Sequence, residues 1–413
     1  MKNLVILGAG TAGTMMANHL DHKLDEDWKI TIVDKDETHY YQPGFLFLPF
    51  DIYKPKQIKK NRTRFLPDDV AYLQTKIDRI VPEANKVVLQ DGKELAYDLL
   101  IVATGAHTAP EEVEGMLGPK WHKNIFDFYT YEGSKALRDT LRTWKGGNLV
   151  VHITEMPIKC PVAPLEFSFL ADAYFKDRNM REKVTITYVT PLSGAFTTPE
   201  ASKVLQYLLD DKKIQVVPDF NIERVDQENN RIIDYAEREV PYDILVTVPT
   251  NMGDELIKRS GMGDDLNYLP TDKGTLQSKD YENIFAIGDA TNLPASKAGS
   301  VAHFEAEILT ENILRYIHKE PLKADFDGHS NCFIETGGGK ALLVDFNYSH
   351  EPVEGTFPLP GIGPLKLLKE SRLNHMGKLA FRWIYWNMLL KGIPIPFVPS
   401  RMSEKGKEFA QTD

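Results

Sequence analysis

The sequence predicts an α/β protein built around two parallel sheets, followed by a C-terminal region of different composition. Short apolar strands end in glycine turns or acidic residues, a helical pattern follows the first strand, and basic and aromatic residues become frequent after Pro364. Continuous apolar strands of this kind are typical of parallel sheets that are covered on both faces. The 413 residues suffice for two or three domains.

The composition is that of an ordinary globular protein. The net charge of −10 gives no reason to expect a nucleic-acid partner. No stretch approaches the roughly 18 apolar residues of a spanning helix, and the N-terminal run is predicted to be a strand rather than a signal peptide. Cys160 and Cys332 are too few for a disulfide scaffold, and neither has the nearby ligands that zinc requires. No metal site is therefore predicted.

The first strand, residues 2–7, leads into a glycine-rich turn and a helical pattern. The turn reads Gly8-Ala-Gly10-Thr-Ala-Gly13, and the next strand ends in Asp34. This arrangement is typical of a Rossmann-like dinucleotide-binding unit. Gly8 permits the tight turn, Gly10 lets a pyrophosphate approach, and Gly13 lets helix and strand pack closely. Asp34 is predicted to accept hydrogen bonds from ribose hydroxyls.

Two later apolar strands end in turns that carry further cofactor candidates, namely Thr104, Gly105, Gly288 and Asp289. Taken in order, the three segments resemble those of FAD-containing pyridine-nucleotide-disulfide-type oxidoreductases. That resemblance implies FAD as the cofactor, with Asp289 holding its ribityl chain. A helix that begins near 296–302 would point its positive end at the flavin, and Lys297 would add positive charge there.

A second nucleotide fold is predicted between these segments, with strands at 148–153 and 183–189. Its first strand is followed by Thr154-Glu-Met-Pro-Ile-Lys-Cys160-Pro, where a pyrophosphate-binding unit would have glycines. Proline and bulky residues prevent close approach of a pyrophosphate, so this unit is predicted to be degenerate and a nicotinamide cofactor is disfavoured. Lys159 is expected to lower the pKa of the neighbouring Cys160 thiol.

The segment Pro157-Ile-Lys-Cys160-Pro-Val-Ala-Pro164 resembles the sulfide:quinone oxidoreductases and the related flavocytochrome c sulfide dehydrogenases. Tyr40-Tyr-Gln-Pro-Gly44 and Ser296-Lys-Ala-Gly299 add to the resemblance, which runs from Met1 to about Lys391. It implies that hydrosulfide is the substrate and that a membrane quinone accepts the electrons.

The resemblance also implies roles for individual residues. Cys160 and Cys332 match the redox pair on one face of the flavin; we expect Cys332 to contact the flavin and Cys160 to carry the growing sulfur chain. The candidates for the quinone site are Phe333, Phe346, Phe381 and Tyr385. Some relatives also have a third cysteine and histidines for proton transfer, which this chain lacks at the corresponding places. Two alternatives stay open: a membrane-surface NADH:quinone dehydrogenase of the same fold, and a flavin-containing thiol redox sensor.

The region after Pro364 has nine Lys and Arg against four Asp and Glu. Basic residues flank an apolar and aromatic stretch that includes Phe381, Trp383, Tyr385 and Trp386, which predicts interfacial helices at a membrane surface. A quinone is lipid-soluble, so these predicted interfacial helices are a separate argument for a quinone acceptor. The alternative is a helix pair packed on the core or in a dimer interface.

These predictions together describe a monotopic membrane protein, expected on the cytoplasmic face, whose assembly into a homo-oligomer stays open. The FAD-binding domain is predicted at 1–105 and 271–320. The degenerate nucleotide-binding domain is predicted at 106–270, and the C-terminal membrane-interface region at 321–413.

Overall fold

The computed structural model describes residues 1–409, so residues 410–413 of the last predicted segment lie outside the described residues. The α-helices are α1 (Thr11–Asp21), α2 (Tyr131–Leu141), α3 (Ala163–Asp177), α4 (Pro199–Asp211), α5 (Glu255–Arg259), α6 (Gly299–Ile317) and α7 (Arg372–Asn387). The strands are β1 (Lys2–Leu7), β2 (Trp28–Asp34), β3 (Thr38–Tyr40), β4 (Lys59–Asn61), β5 (Ala71–Gln74), β6 (Ile77–Val81), β7 (Lys86–Leu89), β8 (Glu94–Ala96), β9 (Leu99–Val102), β10 (Ala106–Ala109), β11 (Ile125–Phe126), β12 (Gly147–Ile153), β13 (Val184–Val189), β14 (Gln215–Val217), β15 (Ile222–Asp226), β16 (Arg231–Asp234), β17 (Glu239–Pro241), β18 (Ile244–Val248), β19 (Thr250–Gly253), β20 (Ile284–Ala286), β21 (Ser330–Gly337), β22 (Lys340–Phe346), β23 (Gly355–Leu359) and β24 (Gly363–Leu367).

The first sheet has the order β20-β9-β1-β2-β5, and all neighbouring strands are parallel. Successive side chains of its central strand β1 point to opposite faces of the sheet, and both faces are buried. Leu4 and Ile6 pack in the core that includes α1 and α6. Val5 and Leu7 pack on the other side, against residues of β7 and α5. This double coverage explains why β1 has no alternation of apolar and polar residues.

The second sheet has the order β11-β18-β12-β13-β14 and is also parallel. Leu149 and Val151 of β12 pack in the core formed with α3. Val150 faces a smaller core formed with the antiparallel sheet β15-β16-β17. The predicted α/β class with two Rossmann-like sheets is confirmed, whereas the exact domain boundaries stay a prediction.

The C-terminal region consists of two antiparallel hairpins, β21-β22 and β23-β24, and the helix α7. The segment Leu365–Leu367 belongs to β24, because the turn at Gly361 and Gly363, both at positive φ, brings it back alongside β23. Within residues 1–409, no helix has the length and apolar character needed to cross a bilayer.

Candidate functional site

A cavity of about 560 Å³ lies where the carboxyl ends of both sheets meet the C-terminal region. Ligands of open parallel sheets bind at this edge because the strand-to-helix turns converge there. Of the residues predicted from the sequence, the following line the cavity: Gly8, Gly10, Asp34, Thr104, Gly105, Cys160, Gly288, Asp289, Lys297, Cys332, Phe333, Phe381 and Tyr385. Gly13 and Phe346 do not.

The glycine turn after β1 leaves room only where a ligand would approach. Gly8 has φ +93°, and a Cβ there would lie 2.5 Å from the Ala103 carbonyl oxygen. At Gly13 a Cβ would lie 1.9 Å from the carbonyl oxygen of Gly8, so this glycine is needed for helix packing rather than for lining the cavity. A Cβ at Gly10 would meet nothing within 4 Å and would project into open space. The turn therefore fits a pyrophosphate.

Two helices begin at the cavity. The first, α1, follows Gly10, and the second, α6, begins at Gly299; neither has a side-chain cap at its N-terminus. Uncapped N–H groups and the helix dipole favour negative charge on a ligand at these positions. The hydroxyl of Thr104 is buried on the cavity wall without a hydrogen-bond partner among the described residues. These features fit a large, anionic, hydrogen-bonding ligand such as FAD.

Asp34 lies on the cavity wall, but its carboxylate is already engaged by the protein. It accepts a hydrogen bond from the Ala9 N–H at 2.7 Å and pairs with the buried guanidinium of Arg62. The remaining lone pairs are available to a ribose. Sequence reasoning missed Arg62 because no motif connects it to the glycine turn; only the pairing of β3 with β4 brings it there.

Lys297 and Lys159 are both buried beside the turn that carries Asp289. The Lys297 ammonium donates to the carbonyl oxygen of Thr291 at 2.6 Å, so it is not a solvated surface lysine. The Lys159 ammonium donates to the carbonyl oxygen of Ala106 at 3.1 Å. Burial lowers the pKa of both lysines, and the Asp289 carboxylate opposes this effect. Two cations therefore lie in the predicted cofactor part of the cavity.

The two cysteines are brought to the same cavity from different parts of the fold, and both are free thiols. Cys160 follows β12 in a tight loop, where its backbone takes a left-handed conformation with φ +46°. Its N–H donates to the Lys297 carbonyl oxygen at 2.9 Å, which ties the loop to the first nucleotide fold. Cys332 lies on β21 opposite Val344. Strained backbone of this kind is concentrated at functional sites.

The expectation that Lys159 acidifies Cys160 is wrong. The Lys159 ammonium points toward Ala106 instead of toward the thiol, because the tight loop turns the two neighbouring side chains apart. Burial, followed by the nearby Glu166 carboxylate, raises the pKa of the Cys160 thiol well above its ordinary value. Burial likewise raises the pKa of Cys332 to about 11. The cation that opposes both shifts is Lys378.

Glu166 and Lys378 form a buried ion pair beside the thiols, with an N–O distance of 2.8 Å. Glu166 also accepts a hydrogen bond from the Glu335 N–H, and the Lys378 ammonium donates to the Phe333 carbonyl oxygen, both at 2.8 Å. Burial acts to lower the pKa of Lys378, but Glu166, Cys160 and Glu335 together raise this pKa above its ordinary value. The pair thus joins α3, α7 and β21 next to Cys332.

Sequence reasoning missed this pair. Glu166 lies six positions after Cys160 on α3. Lys378 belongs to the basic and aromatic segment that was predicted to form interfacial helices. Spacing alone gave no signal for their contact, because 212 positions separate them.

Three of the four quinone candidates, Phe333, Phe381 and Tyr385, line the cavity. Its apolar lining also includes Phe357, Pro358, Leu365, Ile395, Pro396 and Val398. Phe346 is placed incorrectly by the prediction. It pairs with Ser330, next to the β21 residues Asn331 to Phe333 that line the cavity, but Phe346 itself is not part of the lining.

The aromatic residues of α7 do not share one environment. Trp383 is 62% exposed, but Tyr385 and Trp386 are buried at 1% and 4% exposure, so the prediction that these two enter a membrane interface is wrong. The Tyr385 hydroxyl forms hydrogen bonds with Thr11 and His39, both at 2.7 Å. A helix of this kind packs one face on the core, and only its opposite face is exposed at the surface.

The chain is similar to known proteins in sequence and in fold. Residues 2–153 match the family described as pyridine nucleotide-disulphide oxidoreductase. The mitochondrial sulfide:quinone oxidoreductase of Dictyostelium discoideum is 28% identical, with 95% of this chain and 86% of the relative covered. The mitochondrial sulfide:quinone oxidoreductase of Mus musculus is 27% identical, with 94% and 86% covered.

The X-ray structure of the sulfide:quinone oxidoreductase from Aquifex aeolicus superposes with a TM-score of 0.79 at 21% identity, over 95% of this chain and 92% of that chain. At this identity the likeness establishes the fold. The resemblance predicted from the sequence motifs is therefore confirmed: the chain is similar to sulfide:quinone oxidoreductases over nearly its whole length, and its first nucleotide fold matches the pyridine nucleotide-disulphide oxidoreductase family.

Proposed function

We propose that this protein is a flavin-dependent oxidoreductase that oxidises hydrosulfide and passes the electrons to a membrane quinone. The proposal depends on one observation: Cys160 and Cys332 line the same cavity as the turns predicted to bind the dinucleotide. The similarity to sulfide:quinone oxidoreductases supports it independently. We further propose that the division into 1–105 with 271–320, 106–270 and 321–413 separates cofactor binding, thiol delivery and quinone access.

FAD is the proposed cofactor. The turn at Gly8 and Gly10 and the N-terminus of α1 would hold its pyrophosphate, Asp34 its ribose, and Asp289 its ribityl chain. Thr104, Gly105, Gly288 and Lys297 would complete this part of the site. When bound, FAD would accept two electrons from the sulfur chemistry and donate them to the quinone.

The thiols would work as an oxidised pair. Hydrosulfide attacks one sulfur of a Cys160–Cys332 bridge, the S–S bond breaks, and the products are a persulfide on Cys160 and a thiolate on Cys332. A thiolate in a buried site is disfavoured unless a cation compensates it. Lys378, held by Glu166, is the cation that would do so. We retain Cys332 as the sulfur on the flavin side and Cys160 as the site of chain growth.

The quinone would enter from the end of the cavity lined by Phe333, Phe381 and Tyr385. Exposed apolar side chains lie on α7 and on the segment after it, including Trp383 and Phe397. A peripheral position on a membrane, for which we retain the cytoplasmic face, would let a lipid-soluble quinone reach this end without leaving the bilayer.

Serine substitution of the cysteines tests the proposed function. Cys160→Ser and Cys332→Ser should each lose sulfide-dependent reduction of a quinone analogue, because neither variant can form the bridge that hydrosulfide attacks. Both should retain FAD, measured by the visible spectrum, since neither residue belongs to the proposed FAD cradle. Normal turnover in either variant would contradict the mechanism.

A further inference from the structure

The loop that carries Cys160 has an unusual backbone. It comprises residues 154–162, between the end of β12 and the start of α3, and we call it the Cys160 loop. Cys160 takes a left-handed conformation, with φ +46°. Residues other than glycine rarely adopt this region, because the Cβ atom crowds the following carbonyl oxygen. A conformation of this kind persists only where the surrounding structure imposes it.

Three backbone groups at Lys159 and Cys160 are held by partners outside the loop. The Lys159 N–H donates to the Oδ1 atom of Asn251 at 2.9 Å, and the Lys159 carbonyl oxygen accepts from the Tyr129 hydroxyl at 2.7 Å. The Cys160 N–H donates to the Lys297 carbonyl oxygen at 2.9 Å. The peptide group between Lys159 and Cys160 is therefore fixed at both its carbonyl oxygen and its N–H.

Tyr129 and Asn251 are buried side chains whose polar atoms serve this loop, with 8% and 1% exposure. Burial of a tyrosine hydroxyl or an amide is unfavourable unless it forms hydrogen bonds. Asn251 lies within β19, although asparagine is disfavoured in strands. Its side-chain nitrogen donates to the Pro249 carbonyl oxygen at 2.8 Å, which orients the Oδ1 atom. A residue that opposes the local structural preference in this way is expected at a functional site.

A ring of contacts fixes the Cys160 loop against the segment that carries Lys297. The Tyr268 hydroxyl donates to the backbone carbonyl oxygen of Asn251 at 2.9 Å. The Lys297 ammonium lies 4.2 Å from the ring centroid of Tyr268, a cation–π contact. The Lys297 carbonyl oxygen, which accepts from the Cys160 N–H, closes the ring. Asn251 is thus held from its backbone side while its side chain holds the loop.

We propose that Tyr129 and Asn251 are positioning residues for the sulfur chemistry: they hold Cys160 in its left-handed conformation and so keep its thiol where it can bridge to Cys332. The proposal rests on the proposed function, in which hydrosulfide attacks this bridge. A disulfide requires a narrow range of Cα separations and torsion angles. A loop that is free to relax would leave this range, whereas a restrained loop keeps the thiol at a high effective concentration. The two residues therefore favour the bridge over the two thiols.

Equilibration with dithiothreitol tests the proposal on the FAD-loaded protein. In this exchange the Cys160–Cys332 bond breaks, dithiothreitol becomes a cyclic disulfide, and its two protons pass to the two protein thiols. Tyr129→Phe removes one hydroxyl and should shift the equilibrium toward the thiols by about three- to tenfold, since the loss of one hydrogen bond is of that size. Tenfold corresponds to about 30 mV. Acid quenching, alkylation with iodoacetamide and mass spectrometry measure the bridged fraction.

A second variant and a matched control complete the experiment. Asn251→Leu removes the other side-chain partner of the loop and should shift the equilibrium in the same direction. Tyr188→Phe removes the hydroxyl of another buried tyrosine, on β13, and should keep the wild-type equilibrium. Urea denaturation of all four proteins separates a loss of stability from a change in the bridge.

An unchanged equilibrium in Tyr129→Phe would overturn the proposal even if the variant were less stable, because the hydroxyl would then only support the fold. If Asn251→Leu does not fold, Tyr129→Phe decides alone. An equal shift in Tyr188→Phe would also overturn the proposal, and so would a wild-type protein that forms no bridge. Bleaching of the flavin by sulfide in the wild type tests the proposed function separately, because the exchange with dithiothreitol uses no sulfide.

Discussion

The chemistry of the site depends on individual side chains that the sequence motifs do not reveal. Both cysteines are buried, and burial alone would keep their thiols protonated at neutral pH. Lys378 opposes this effect, whereas Lys159, the neighbour of Cys160 in sequence, points elsewhere. The cation that moderates the effect of burial on the thiols is therefore a residue more than two hundred positions away from Cys160 in the chain.

Replacement of Lys378 by methionine should raise the pKa of both thiols further. The expected shift is about one to three units, which lowers the thiolate fraction at a given pH roughly tenfold or more. The rate of iodoacetamide alkylation as a function of pH measures this shift directly. Lys378→Arg keeps the cation and should preserve the pH dependence of the alkylation rate. Lys159→Met should preserve it too, because the Lys159 ammonium points away from the thiols. A Lys378→Met profile that coincides with that of the wild type would show that the cation does not act on the thiols.

At the level of secondary structure, the glycine turn and α1 form a unit whose geometry follows from the sequence. Gly8 and Gly13 are required by the packing of the turn, whereas Gly10 leaves open space on the cavity wall. Each role could be assigned from spacing alone because the strand, the turn and the helix are consecutive in sequence.

Gly10→Val should abolish FAD binding while leaving the fold intact. Its side chain would occupy the space that the pyrophosphate needs, and no protein atom lies within 4 Å of the added Cβ. The FAD content of the purified variant and its far-UV circular dichroism measure the two effects separately. Full FAD content would contradict the assignment of the cradle.

The helix α7 has two faces with different roles, and the two tryptophans on it distinguish them. Trp386→Ala should destabilise the fold by about 3–5 kcal/mol because it empties a packed site between Phe65 and His39. Trp383→Ala should change the stability by no more than about 0.5 kcal/mol and instead weaken binding to neutral vesicles. Chemical denaturation and flotation provide the two measurements. The reverse pattern would mean that the buried and exposed faces are misassigned.

The contrast between α1 and α7 indicates what the sequence could predict. The first nucleotide fold, the degenerate second fold and the cofactor turns follow from local patterns of glycines and apolar strands. The contact of Glu166 with Lys378, the position of Arg62 and the burial of Tyr385 depend on how distant segments pack together, and no local pattern encodes that. The basic and aromatic composition of α7 suggested a fully interfacial helix, because composition does not distinguish the face that packs on the core.

On the scale of the whole molecule, stability in acid should be limited by histidines that are buried in neutral form. Burial lowers the pKa of His152 from 6.5 to about 3. The unfolded chain binds a proton at this residue more readily than the folded chain, so its contribution to stability is complete above pH 6.5 and is lost as the pH falls toward 3. For His152 alone the loss between pH 7 and pH 5 is about 2 kcal/mol.

His152→Gln should therefore be less sensitive to acid than the wild type. Urea denaturation at pH 7 and pH 5 measures the change in unfolding free energy for both proteins. The comparison isolates His152 from buried acids such as Glu305 and Glu335, whose pKa values burial raises to about 7 and whose contributions change with pH in the opposite direction. Identical pH dependence in the two proteins would show that His152 does not titrate as expected.

The proposed function has one direction of electron flow, from sulfide through the thiols and FAD to a quinone. The direct test is anaerobic mixing of the oxidised, FAD-loaded protein with sulfide or with NADH, followed by absorbance of the flavin. Our account predicts rapid bleaching by sulfide, no bleaching by NADH, and reoxidation when a quinone analogue is added. Bleaching by NADH but not by sulfide would contradict it in favour of an NADH dehydrogenase, and bleaching by neither would favour a redox sensor.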